Sequence, residues 1–118
     1  MPWIVRLHEA FAPEVRALAQ EVRLELVAQT ALLELLGPQA GRPRVDTLKG
    51  SRHANMKELR FDAGGGVWRV AFAFDPKRRA ILLVAGDKSG GSEKKFYRGL
   101  IKTADERFDE HSEVLRRE

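Results

Sequence analysis

Met56-Lys-Glu-Leu-Arg-Phe-Asp62, Ala63-Gly-Gly-Gly66, Val67-Trp-Arg-Val-Ala-Phe-Ala-Phe74, Asp75-Pro-Lys-Arg-Arg79 and Ala80-Ile-Leu-Leu-Val-Ala-Gly-Asp-Lys88 form one continuous stretch. It holds three runs rich in β-branched and aromatic residues, joined by two compact turns. That pattern predicts an antiparallel meander. Gly64 to Gly66 supply the positive φ that a tight hairpin needs. They are read as a turn, because no helix and no Lys-Ser/Thr signature follow them as in a phosphate loop. In the middle run Trp68, Val70, Phe72 and Phe74 share one parity, and Val67, Arg69, Ala71 and Ala73 share the other. The second face is an arginine over a floor of small side chains, with room for something to lie on it. In the first run Leu59 and Phe61 point one way with Lys57 at the same parity, while Glu58, Arg60 and Asp62 point the other way.

Outward from the meander, Trp3 to His8 reads as a short first strand. A helix is predicted from Pro13, with Glu14 at the positive end of its dipole. Val15, Leu18, Val22, Leu26, Leu32, Leu33 and Leu36 recur at helical spacing up to the Gly37-Pro38 stop. The segment is either one long helix or two with a break near Thr30, and its leucine stripe covers the sheet. Residues 39 to 55 read as a loop carrying Arg42, Arg44, Lys49, Arg52 and His53, a basic lip able to contact phosphate. After Ser89-Gly-Gly-Ser92 a last helix is predicted from about Glu93. Its stripe is Phe96, Leu100, Ala104 and Phe108, and Lys94, Lys95 and Arg98 make its start basic. Tyr97 sits at the stripe's edge, and residues 110–118 are expected to fray. No repeat or second domain is apparent.

The 118 residues are 43% hydrophobic and 32% charged, enough for one core and incompatible with a wholly disordered chain. A net charge of +4 favours an anionic partner such as nucleic acid or an acidic protein segment. There is no cysteine, so disulfides and thiolate–metal sites are excluded. The start of the chain lacks a secretion signal, and no apolar run approaches the roughly 20 residues that span a bilayer. A soluble cytoplasmic protein is expected.

Scattered carboxylates, and His8, His53 and His111 without ligand spacing, argue against metal-dependent hydrolysis. No nucleophile elbow is present. Cations are what the chain concentrates: Lys57, Arg60, Arg69, Lys88, Lys94, Lys95 and Arg98. Metal-free RNA cleavage needs a 2′-OH deprotonated, a proton for the leaving oxygen, and stabilisation of a phosphorane-like transition state. A strand arginine suits the last task, since its planar fork meets phosphate oxygens bidentately. A lysine crowded by cations can exchange protons near neutral pH. Tyr97 could stack on a base or move a proton, and His53 is a candidate proton-transfer group.

Leu48-Lys-Gly-Ser51, Met56-Lys-Glu-Leu-Arg-Phe61, Val67-Trp-Arg-Val70, Ile81-Leu-Leu-Val84 ahead of Lys88, and Ala104 in the last helix resemble the RelE/ParE toxin superfamily. The branch they resemble is the HigB-type toxins of type II toxin–antitoxin modules. That resemblance covers nearly the whole chain. It implies a small α+β domain over residues 1–118, with an antiparallel sheet packed by helices on one side. It implies a ribosome-dependent mRNA endoribonuclease without metal or other cofactor, held inactive by a helix-turn-helix antitoxin. By position it makes Arg69 the arginine at the scissile phosphate, Arg60 the arginine of the Glu-Leu-Arg strand, and Lys88 the basic residue after the third meander strand. Lys57 and Tyr97 complete the expected catalytic group, with Arg60, Lys49, Arg52, His53, Lys94, Lys95 and Arg98 expected on RNA. Asp87-Lys88 and a glycine–serine spacer stand where the family often has adjacent lysines. Two other readings remain: a ParE-like gyrase inhibitor, and a non-catalytic module that binds an antitoxin or RNA.

Overall fold

The computed structural model describes residues 2–118. Its elements run β1 (Ile4–Leu7), α1 (Phe11–Arg16), α2 (Gln20–Leu36), β2 (Val45–Thr47), β3 (Lys57–Ala63), β4 (Gly66–Phe74), β5 (Arg79–Asp87) and α3 (Glu93–Arg117). The sheet order is β1-β5-β4-β3-β2. The meander forms as the sequence predicts, with β3, β4 and β5 antiparallel in succession. Ala63 pairs with Gly66 across a two-residue loop in which Gly64 and Gly65 both take positive φ, the backbone that a twist-matched hairpin requires.

The sheet is mixed rather than purely antiparallel, because β1 lies parallel beside β5. A strand that returns to the same sheet through α1, α2 and the meander can join either way, and only the packing decides. The loop of residues 39–55 also contains β2, which pairs antiparallel with β3 through Val45 and Leu59. Three residues are too few for a period to show.

The N-terminal helical segment is two helices, but the break falls at residues 17–19, not near Thr30, and α1 starts at Phe11. Ala19 has ψ 149°, outside the helical range. Ala17-Leu18-Ala19 is a good helix-forming sequence, so no local preference marks the bend. The bend lets Phe11 and Val15 of α1 reach the same core as Val22, Leu26 and Leu33 of α2. That core lies on one sheet face, against Leu59, Phe61, Val70, Phe72 and Leu82.

Helices cover both faces, which corrects the one-sided packing expected from the resemblance. The small-residue floor is where α3 lies: Ala71 and Ala73 are fully buried beside Leu100, Ala104 and Phe108. Alanines on the strand let the helix approach closely, so the room read from the sequence is filled from within the chain. Residues 110–117, expected to fray, continue α3 in helical form. Among the described residues no helix is long and apolar enough to cross a membrane.

Candidate active site on the sheet

Near the glycine hairpin of the meander the strand register sets Arg60 directly opposite Arg69. Like charges facing each other across a ladder repel. Glu58, two residues before Arg60 on the same face, supplies the counter-charge. It is only 4% exposed. Its Oε1 lies 3.1 Å from Arg60 Nε and 3.3 Å from Arg69 Nε, and accepts a 2.8 Å hydrogen bond from the Tyr97 hydroxyl. Arg69 Nε also reaches the Tyr97 oxygen at 3.3 Å, and its Nη1 donates to the Trp68 carbonyl at 2.9 Å. These bonds hold the guanidinium in one orientation.

Tyr97 arrives from the first turns of α3. Ser92 caps that helix by accepting from Lys95 N at 3.2 Å. Gly86 is opposite Arg69 on β5, and a Cβ there would meet the Phe96 ring at 2.7 Å. The absent side chain admits Phe96, which brings its neighbour Tyr97 down to Glu58. Burial raises the Tyr97 pKa, and the bond to Glu58 raises it further, while Arg69 acts in the opposite direction. Tyr97 therefore stays a protonated donor across physiological pH.

Lys88 Nζ stands 5.9 Å from the Tyr97 ring centre and 2.9 Å from Glu93 Oε1. It faces a carboxylate, not the cations that its place in the sequence led us to expect. That bond from Lys88 holds the exposed Glu93 carboxyl below its usual range. A groove of about 350 Å³ opens over Glu58, Arg60 and Tyr97, with Lys49, Glu93 and Asp46 also on its wall; Asp46 Oδ2 lies 3.6 Å from Arg60 Nη2.

The structure thus gathers Arg69, Arg60, Tyr97 and Lys88, with Lys49 on the rim. Lys57 is set apart. It pairs in register with Phe72, whose side chain is in the α2-side core, and its Nζ reaches Thr47 Oγ1 at 3.5 Å. Alternation along β3 puts it on the face away from Glu58. Arg52 and His53 are tied to the middle of α3. Arg52 pairs with Asp109, and His53 Nε2 lies 2.8 Å from Asp109 Oδ1 and edge-on to Phe108. Ser51 and the Arg52 N–H both bind the buried Asp105, so this loop is stapled to the helix. Lys94, Lys95 and Arg98 are exposed on α3 and, among the described residues, have no carboxylate within ion-pair reach.

Glu58 is the member of this cluster absent from the residues expected from sequence. Its signal was present: a carboxylate on the same face as two arginines that the hairpin register sets opposite each other. Parity alone puts Glu58 on the arginine face; the register counted back from the glycine turn sets the two arginines opposite each other beside it.

The family described as phage-derived protein Gp49-like (DUF891) matches residues 13–109. Two proteins of Mycobacterium tuberculosis (strain ATCC 25618 / H37Rv) are similar in sequence. One, named as the toxin HigB2, is 53% identical over 89 residues, which are 74% of this chain and 44% of HigB2. The other, named as the toxin HigB3, is 46% identical over 93 residues, 79% of each chain. The chain therefore spans less than half of HigB2. A free-state structure of a double-arginine mutant of the E. coli toxin RelE matches with TM-score 0.54 over 86% of this chain and 95% of that one. At 14% identity that likeness concerns the fold. The relatives carry the HigB name that the stretch from Leu48 to Lys88 pointed to.

Proposed function

This chain belongs to the Gp49-like family of phage-derived proteins, and from that premise we propose that it is a HigB-type toxin of a toxin–antitoxin pair. Residues 1–118 act as one toxin domain, a cytoplasmic endoribonuclease that cuts mRNA on the ribosome. Its partner is a helix-turn-helix antitoxin, and its chemistry needs no metal. The observation that carries this reading is the Arg69–Glu58–Tyr97 cluster with Arg60, of which Glu58, Arg60 and Tyr97 line an open groove on the sheet. The names of HigB2 and HigB3 support the toxin role.

Each group has a task in transesterification. Arg69 has Nε and Nη1 engaged, which leaves Nη2 toward a phosphate oxygen, where it offsets charge growing in the transition state. Glu58 takes the 2′-OH proton as that oxygen attacks phosphorus. Tyr97, kept protonated by burial and by Glu58, gives its proton to the departing 5′-oxygen. The proton then returns from Glu58 to the tyrosinate along their hydrogen bond, so both groups end as they began. Lys88 leaves the exposed Glu93 for the incoming phosphate. Lys49, Lys94, Lys95 and Arg98 hold the flanking RNA backbone, and Arg52 and His53 shape the loop beside the groove.

The test is inducible expression of wild type and Arg69→Ala in a bacterial host, with primer extension on a translated mRNA. We expect growth arrest and new translation-dependent mRNA ends, both lost in the variant. Arrest with intact mRNA would sink this reading in favour of gyrase inhibition. Folded wild-type protein that causes no arrest would leave a binding module.

A further inference from the structure

Helix α2 is apolar on two sides. Val22, Leu26 and Leu33 face the sheet and are buried. Leu24, Val27 and Leu35 face outward at 63%, 65% and 78% exposure. Ala28 and Ala31, also exposed, lie between them. Intervals of three, four, seven and eleven residues from Leu24 put all five on one stripe. A surface helix ordinarily turns polar residues to water, and a helix apolar all round is a covered one. Contiguous apolar stripes of this kind mark contact surfaces.

We propose that this stripe is a self-association surface on which a second copy of the chain packs α2 against α2, antiparallel, about a two-fold axis beside Gln29 and Thr30. In that arrangement Leu24 of each copy lies opposite Leu35 of the other, and Ala28 opposite Ala31. The small residues let the backbones approach at the centre while the leucines close the two ends. Two-fold symmetry makes every contact occur twice.

The charges are complementary for this occupant in this direction. Arg23 and Glu34 are three turns apart on the same flank of the stripe. Both are exposed, and among the described residues neither has an opposite charge within ion-pair reach; Arg23 touches only the Arg16 carbonyl at 3.4 Å. With a rise of about 1.5 Å per residue, the two-fold axis brings Arg23 of one copy within about 3 Å, along the helix, of Glu34 of the other. On the opposite flank Glu25 meets Leu32 and Leu36, so no carboxylate faces a carboxylate. A parallel pairing, with its two-fold along the helices, would carry the partner's Glu34 to the far side of the seam, so the Arg23–Glu34 pair would not form. The stripe is one helix face, at the small end of specific interfaces, so the dimer is concentration-dependent, not obligate. None of this rests on the nuclease reading.

Sedimentation velocity on the purified full chain across a concentration series tests it. The wild type is expected to move from the monomer mass toward twice that mass. Leu24→Glu and Leu35→Glu should abolish the shift. Arg23→Glu alone and Glu34→Arg alone should each weaken association about tenfold, and the two together should restore it to within about threefold. The four side chains lie away from the core, so circular dichroism should show unchanged folding. Should a glutamate variant unfold, Leu24→Gln and Leu35→Gln serve instead. A wild type that stays monomeric at every concentration overturns the proposal, as does a dimer that survives Leu24→Glu or a charge exchange without rescue. A monomer whose stripe is covered only by a helix of another protein also overturns it.

Discussion

The two ends of β4 each hold a buried carboxylate among arginine and aromatic groups, and they do opposite things. At one end Glu58 neutralises Arg60 and Arg69 together, bonds Tyr97, and opens into a groove. At the other end Asp75 receives Arg79 Nε and His111 Nε2, each at 2.8 Å, and the backbone N–H groups of Lys77 and Arg79 at 2.9 and 3.1 Å. Asp75 thereby closes the turn from β4 to β5 and ties it to α3. A cavity of about 380 Å³ lies beside it, slightly larger than the groove at Glu58 and lined by His8, Glu110, Arg79 and His111 among others. Cavity size alone would have chosen that end. The difference is how the positive charge is used. Asp75 is saturated by donors that hold the fold, whereas one Glu58 oxygen stands between two strand arginines, of which Arg60 borders the groove with its Nη2 only 3.6 Å from the half-exposed Asp46. Like ingredients give a structural knot in one place and, in the other, the floor of a groove where we propose the chemistry occurs.

Breaking the knot should have the largest effect. Asp75→Ala leaves the Arg79 guanidinium and His111 without their carboxylate, and is expected to lower unfolding free energy by about 3–5 kcal/mol in urea titration. Cleavage per folded molecule should be unchanged, and a loss of activity without loss of stability would erase the contrast. Arg69→Ala is the mirror case. It should reduce single-turnover cleavage about 10²–10³-fold while the urea midpoint moves little, because Arg60 and Tyr97 still engage Glu58.

Tyr97→Phe removes the proposed acid but keeps the ring on α3. About 10²-fold slower cleavage is expected, with the loss smallest for RNA carrying a leaving group that needs no proton. Equal losses on both substrates would move Tyr97 from acid to packing.

The Asp75 end also has a response to acid of definite sign. Burial raises the Asp75 pKa, but the bonds from His111 and Arg79 outweigh it, and the net shift is downward from an ordinary value of 3.8. The unfolded chain therefore binds this proton first as pH falls. Asp75 stabilises the fold above the ordinary aspartate range, and that stability drains as pH drops through the lowered value. Asp75→Asn should flatten this part of the stability–pH curve, and an unchanged slope would place the acid sensitivity elsewhere. The smallest effect belongs to the rim. Lys94→Ala and Lys95→Ala should each reduce the salt dependence of RNA binding by about one unit of slope, leaving cleavage at saturation intact.

What the sequence by itself determined is whatever one residue and its near neighbours specify. Alternation in Val67–Phe74, the paired glycines at 64 and 65, and the apolar stripe of Phe96, Leu100, Ala104 and Phe108 each demand one local conformation. From those the meander, the last helix and the face bearing Arg69 and Arg60 were legible. Tertiary structure decided the rest. The bend at residues 17–19 runs against local helix preference and serves a shared core. The parallel edge of β1, and the strand inside the basic loop, depend on partners far along the chain. Register made Glu58 the centre of the site and turned Lys57 away from it. Packing of α3 carried Tyr97 in over Gly86 and drew Arg52 and His53 toward Asp109. A pattern in one segment records its own conformation and its buried face. It does not record which distant side chain will lie against that face, because that follows from the packing of the whole chain.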